Sequence, residues 1–379
     1  MAVLTEEQNL LRDAAKSFAT ERAPTTALRA LRDGDGWKTG YSPRLYKDMV
    51  EMGWAGVIIP EAYGGSDFGL FGLGLVLEEL GRTLAASPLH STALAAASAL
   101  ILAGDAGQKS TWLPKIASGE ITATLAVDET AHHDPAQVAL KATAQGDGFV
   151  LHGKKRFIPD AANADLIVVL ARTAGGVGDE TGLTLVLVEK GAAGLRLTPL
   201  QAIDTRGFAD LVFDGVKIER DTVLGAPGEA FPVLMQVLDR ARVGLAAEML
   251  GAASRAFDIT LDYLKTRTQF GQLIGSFQAL QHRAAKMFTA LELTRSCVEA
   301  ALNALDQGAA DASQLATLAK AKANETAHLI SSEMVQMHGG IGMTDAHDAG
   351  LYMKRARVTE ALYGGASYLR DRYARLGGY

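Results

Sequence analysis

The spacing of apolar residues changes twice along this 379-residue chain, and that change restricts the fold more than any single motif. Up to about Gly119, apolar side chains recur every three to four positions. From Ile121 to Leu224 they recur every second position. From Phe231 onward the longer period returns. A run with helical period cannot place its apolar residues on one face of a strand, nor the reverse. The pattern therefore predicts an α+β chain built as helices, then a sheet, then helices. A chain of this length is also too long for one core. We expect an N-terminal α-helical domain at 1–120, a middle β-barrel or sandwich domain at 121–228, and a C-terminal four-helix-bundle domain at 229–379.

Local signals support each third. Thr5 and Gln8 form a capping box, after which Leu11, Ala14, Ala15 and Phe18 share one face. Ser42-Pro43 opens a second helix, with the proline where its missing N–H costs nothing. Leu70–Leu84 is apolar enough for a buried helix and ends at Ser87-Pro88. In the middle third, Ala139–Ala144 and Phe149–His152 flank Gln145-Gly-Asp-Gly148, a hairpin signal. Further strands are expected at 164–170, 183–188, 195–200 and 210–218. The last third offers four long helical segments, 231–265, 277–305, 312–337 and 347–376.

Composition narrows the function classes. The net charge of -6 disfavours a general grip on nucleic acid, which needs a basic surface. The single cysteine, Cys297, excludes a disulfide framework and fits a reducing compartment. The first residues are charged and helical, unlike a signal peptide, and the apolar run 92–104 is too short to span a bilayer. The expectation is a cytoplasmic protein without a membrane segment.

Four stretches point to chemistry. They are Gly53-Trp-Ala-Gly-Val-Ile-Ile-Pro-Glu-Ala-Tyr-Gly-Gly65, Asp239-Arg-Ala-Arg-Val-Gly-Leu-Ala-Ala247, Arg267-Thr-Gln-Phe-Gly271 and Gln336-Met-His-Gly-Gly-Ile-Gly342. Arg267 offers a planar fork suited to phosphate. Gly339 and Gly340 let backbone N–H groups approach a ligand closely. Gln336 adds a donor and an acceptor, and Phe270 an apolar wall. Taken singly, the arginine could be a solvated helix-end residue and the glycines a helix cap. Taken with their spacing and the helix–sheet–helix order, these stretches resemble the acyl-CoA dehydrogenase family over essentially the whole chain. That resemblance implies FAD as cofactor, an acyl-CoA substrate, and an electron-transfer flavoprotein as partner. It also implies that Arg267, Phe270, Gln336, Gly339 and Gly340 reach the adenosine diphosphate end of a neighbouring subunit's FAD. Asp239 and Arg242 resemble the family's acyl-CoA-facing pair, although a salt-bridged helix pair reads equally well.

The sequence departs from the family where the reaction needs a base. Proton abstraction next to a thioester requires a carboxylate aimed at that carbon. Most members carry a glutamate where this chain has Gly364, in Tyr363-Gly-Gly-Ala366. A minority carry it where this chain has Ala241. Neither residue takes a proton. The stretches expected to meet the chain's own flavin are altered as well. Asp128 stands in place of a threonine, and Phe157-Ile-Pro159 replaces Trp-Ile-Thr.

The pattern implies a flavoprotein oxidoreductase of lipid or steroid metabolism that works in a mixed tetramer. This chain would be the non-catalytic subunit beside a homologous, glutamate-bearing one. Two alternatives stand beside it: a self-sufficient homotetrameric dehydrogenase or oxidase with Glu248 or His338 as base, and a non-enzymatic relative such as those associated with DNA repair. His132-His133-Asp134 reads as a surface loop rather than a metal site, and Glu78, Glu79 and Arg82 as a solvated helix face.

Overall fold

The structure is a computed structural model that describes residues 3–379. It carries the three kinds of architecture expected: N-terminal helices, a middle sheet and C-terminal helices. The helices are α1 (Glu6–Arg22), α2 (Thr25–Asp33), α3 (Pro43–Glu51), α4 (Gly69–Arg82), α5 (Ala97–Ala103), α6 (Ala106–Ala117), α7 (Phe231–Thr266), α8 (Gln278–Asp306), α9 (Ala312–His338), α10 (Ala349–Ala361) and α11 (Ala366–Leu376). A π-type turn, His90–Ala96, precedes α5. By contacts the chain divides into two compact units, and each is described by itself.

The first unit comprises residues up to Leu28, Leu70–Ala85 and Arg242–Tyr379. It is helical. The Thr5–Gln8 capping box is present in both directions and starts α1. α4 is buried along most of its length, as its composition requires. Asp306, at the end of α8, accepts hydrogen bonds from the N–H groups of Leu70 and Phe71, so its charge sits on the N-terminus of α4. α4 and α7 touch through glycine. A Cβ at Gly81 would lie 2.1 Å from the Glu248 carbonyl oxygen, and one at Gly251 would lie 1.8 Å from that of Glu78. The expectation of a solvated face on α4 is corrected here. Glu78 pairs with Arg295 at 2.7 Å, Arg82 pairs with Asp258 at 2.7 Å, and Glu79 is buried. The face is covered because neighbouring helices pack onto it.

The fourth long segment expected in the last third is two helices rather than one. α10 ends at Ala361, Tyr363 takes φ +57 and Gly364 φ +126, and α11 begins at Ala366. Helical spacing continues through this break, so periodicity does not reveal it.

The second unit comprises Arg29–Gly69 and Ala86–Ala241. Its centre is one eight-stranded sheet of β1 (Ala123–Ala126), β2 (Lys141–Gln145), β3 (Gly148–Ile158), β4 (Leu166–Arg172), β5 (Leu183–Glu189), β6 (Leu195–Gln201), β7 (Gly207–Ile218) and β8 (Val223–Leu224). The order is β6-β7-β3-β2-β4-β5-β8, with β1 parallel to β4. β2 and β3 form the expected hairpin, with Gln145 opposite Gly148 around a Gly146-Asp147 turn. β1 does not alternate in burial; all four of its residues are buried. Helices and sheet pack within this unit. Gln108 of α6 donates to the Asp221 and Val223 carbonyls, and Thr92 exchanges hydrogen bonds with Ala123. The Gly53–Gly65 stretch is a tight double turn in which a Cβ on Gly65 would sit 1.9 Å from the Ile59 oxygen.

The α4–α7 crossing yields a test. Gly251→Ala gains up to about 1 kcal/mol of helix propensity. It also forces a methyl into a carbonyl, at a cost on the order of 3 kcal/mol. The second effect wins, so urea denaturation followed by circular dichroism should show a net loss of roughly 2 kcal/mol.

Candidate functional site

The residues expected from the sequence to contact a cofactor lie at the ends of α7 and α9. Beyond α7 the chain forms a short hairpin, β9 (Thr268–Gln269) against β10 (Gln272–Leu273). Its two turn residues, Phe270 and Gly271, take φ +55 and +79, as a two-residue hairpin turn requires. Phe270 therefore projects at the tip and is 91% exposed. Arg267 is exposed, and its guanidinium has no hydrogen-bond or ion-pair partner among the described residues. At the end of α9, Gln336, Gly339 and Gly340 are exposed. Gly339 takes φ 62 and ψ -137, a conformation suited to glycine. A Cβ on Gly339 or Gly340 would meet nothing within 4 Å, so both peptide faces are open to a ligand.

A stack of rings links the two ends. His338 lies 4.4 Å from Tyr263 of α7 and 4.2 Å from His347, centroid to centroid. Its Nδ1 bonds the Met334 carbonyl at 2.7 Å. Burial, then the nearby His347, push its pKa below the usual histidine range, against the pull of that bond. His338 is thus a buried ring packed between Tyr263 and His347. The packing, not the sequence, places it there; its neighbours along the chain give no signal of a strut.

The two expected base positions hold no acid. Ala241 is fully buried, and its carbonyl oxygen lies 2.9 Å from His90 Nε2. Gly364 lies in the strained turn between α10 and α11. Arg242 Nε donates to the Tyr363 carbonyl at 2.9 Å. Asn324 Nδ2 donates to the Gly364 carbonyl at 3.3 Å, and Lys320 Nζ donates to Asn324 Oδ1 and to the Thr359 carbonyl. Arg242 and Lys320 are both fully buried. The sequence singles out Arg242 but not Lys320 and Asn324, whose i, i+4 spacing looks like any helix pair. Burial, then repulsion from Arg242, lower the Lys320 pKa to about 7. Asp239 is buried as well. Of the two alternative bases, Glu248 is buried and paired with Arg355 at 2.9 Å, and His338 is packed as described.

In the second unit, Asp128 is not a bare charge. Its carboxylate accepts from His133 Nδ1 at 2.9 Å, which also corrects the reading of His133 as part of an open surface loop. Lys155 is fully buried and bonds Glu129 at 2.7 Å, while Glu129 accepts from the Ala139 and Leu140 N–H groups. Phe157 is 41% exposed at φ +54, under the Arg156 guanidinium. Pro159 is buried, and its carbonyl accepts from Thr124. Among the described residues there is no cluster fit for a metal ion, and no helix is long and apolar enough to cross a membrane.

Helix ends that carry an open glycine pair and an exposed arginine, in a chain that also folds a sheet domain, are chemically suited to a phosphate-bearing cofactor. Comparisons with known proteins give the particular family. The family models for the acyl-CoA dehydrogenase N-terminal, middle and C-terminal domains match residues 5–120, 123–216 and 228–376. This chain belongs to the acyl-CoA dehydrogenase family, whose members are FAD flavoproteins. It is 32% identical over 371 residues to the cyclohex-1-ene-1-carbonyl-CoA dehydrogenase of Geobacter metallireducens, covering 96% of each chain. Among solved structures it is similar to a variant of the Tcur3481-Tcur3483 steroid ACAD, with 33% identity, 98% of each chain covered and a TM-score of 0.89. It is also similar to the ChsE4-ChsE5 complex from Mycobacterium tuberculosis, with 25% identity, 100% of this chain and 99% of that one covered, and a TM-score of 0.90.

Lys320 makes stability depend on pH in a defined direction. With a folded pKa near 7 and an ordinary value near 10.5, the unfolded chain holds a proton across that window that the folded chain does not. Stability therefore rises with pH between these values, by up to about 1.4 kcal/mol per unit. Comparing thermal unfolding of the wild type and Lys320→Met at pH 7 to 10 should show this slope only in the wild type.

Proposed function

We propose that this chain is the non-catalytic subunit of a mixed acyl-CoA dehydrogenase. In this reading it grips the FAD of a homologous, glutamate-bearing partner. The observation that carries it is a contrast within one helical unit. The exposed set Arg267, Phe270, Gln336, Gly339 and Gly340 is open to a ligand, while the turn at Gly364 offers no acid.

The roles follow from the chemistry of each group. The Arg267 fork pairs with pyrophosphate oxygens. The backbone N–H groups at Gly339 and Gly340 donate to the same end of the cofactor, Gln336 orients it, and Phe270 covers an apolar face. FAD, when bound, supplies the hydride acceptor for α,β-dehydrogenation of an acyl-CoA thioester. The partner supplies the carboxylate that takes the α-proton. Asp239 and Arg242 are both buried, and Arg242 is bonded to the Tyr363 carbonyl, so in this chain we assign Arg242 to supporting the turn more than to meeting substrate. An electron-transfer flavoprotein is the expected electron acceptor. The likeness to a steroid ACAD and to the ChsE4-ChsE5 complex supports both the mixed assembly and a bulky acyl group. Nothing favours Glu248 or His338 as a substitute base, since Arg355 holds one and the ring stack the other.

Expressed alone, the protein should purify with little flavin and no acyl-CoA turnover. Co-expressed with a glutamate-bearing relative, it should give a yellow, active complex with one FAD per pair of chains. Flavin absorbance per protein and dye-linked turnover measure both; a yellow, active protein from this chain alone would overturn the reading. In the complex, Arg267→Ala removes charge-assisted bonds to phosphate and should weaken FAD retention about 10- to 100-fold.

A further inference from the structure

We infer that Tyr368 holds position 364 to glycine, so that the missing base is closed off by a second residue rather than left as an empty place. This inference rests on the reading of Gly364 given above and goes a step further.

A side chain added at Gly364 has nowhere to go. Its Cβ would lie 2.8 Å from Cδ1 of the Tyr368 ring, and 3.1 Å from a methyl carbon of Leu369. Real Cβ atoms essentially never come within 3.0 Å of a non-bonded heavy atom of another residue, so something must move. Neither neighbour moves freely. Leu369 is fully buried. Tyr368 stands in the first turn of α11, with the Arg242 guanidinium 5.6 Å from its ring centroid and an Arg242 N–H on its hydroxyl at 3.4 Å. Arg242 is itself fully buried and anchored on the Tyr363 carbonyl. A ring atom pinned in this way is not the loose tip of a flexible chain.

The backbone adds a second restriction. Gly364 has φ +126, where L side chains are strained. Tyr363 before it already sits at φ +57. Its neighbour Gly365 differs in both respects: φ is -76, and a Cβ there would meet nothing within 4 Å. Only one of the two adjacent glycines is sterically enforced, and it is the one at the expected base position.

The consequence is that Gly364→Glu does not regenerate a carboxylate in working position. It drives the new side chain against the Tyr368 ring. Removing the ring opens that space, whereas removing only its hydroxyl does not.

The test is a comparison of variants of the full chain by thermal unfolding. Gly364→Glu should lower the midpoint by on the order of 5 °C, and Gly365→Ala should leave it close to wild type. In a Tyr368→Ala background the loss caused by Gly364→Glu should shrink by about half, the remainder being backbone strain. In a Tyr368→Phe background, which keeps the ring, the loss should persist in full. If Gly364→Glu gives no folded chain, Gly364→Ala carries the same comparison. The inference is overturned if Gly364→Glu is as stable as wild type, or if Tyr368→Ala leaves its penalty unchanged. The measurement needs neither flavin nor partner. Its failure would leave the mixed-complex reading standing, and an active protein from this chain alone would sink that reading without touching the coupling.

Discussion

The turn between α10 and α11 depends on two basic side chains taken out of water. Arg242 and Lys320 are both fully buried, and they hold it through carbonyl oxygens and one amide. Burying a charge is costly unless hydrogen bonds replace its hydration. Here Arg242 bonds the Tyr363 carbonyl, and Lys320 bonds Asn324 and the Thr359 carbonyl of α10, so the cost is offset by ordering that segment. The positive φ values at Tyr363 and Gly364 persist because these bonds over-determine them. Burial, and then repulsion from Arg242, bring the Lys320 pKa down to about 7.

Strain of this kind recurs at the other motifs. Phe157, Asp160 and Phe270 also take positive φ, the first in the stretch expected near the chain's own flavin, the second just after it and the third at the hairpin tip. Asp128 with His133, and Lys155 with Glu129, hold the sheet domain's loop in the same manner.

Much of this is legible in the sequence because it depends on local rules. Caps, hairpin turns and hydrophobic period are properties of neighbouring residues, so α1, α3 and the β2–β3 hairpin are placed by those residues alone. The grouping of Arg267 with the Gln336–Gly340 stretch is readable only as a spaced resemblance. The Tyr263–His338–His347 stack that joins their helix ends has no signature at all. The break in the last helical segment is hidden because residues on both sides keep helical spacing. The cover over Glu78 and Glu79 is hidden because a charged stripe looks solvated until another helix is packed on it.

The sequence by itself determined the order of helices and strands, the family, and the absence of a carboxylate at 241 and 364. Each of these follows from residue identity and spacing along the chain. Tertiary structure alone decided which groups are open and which are closed. It left Arg267 and the glycine pair facing outward, locked Glu248 onto Arg355, and set the Tyr368 ring against Gly364. These outcomes depend on distances between segments remote in sequence, and no local propensity encodes them.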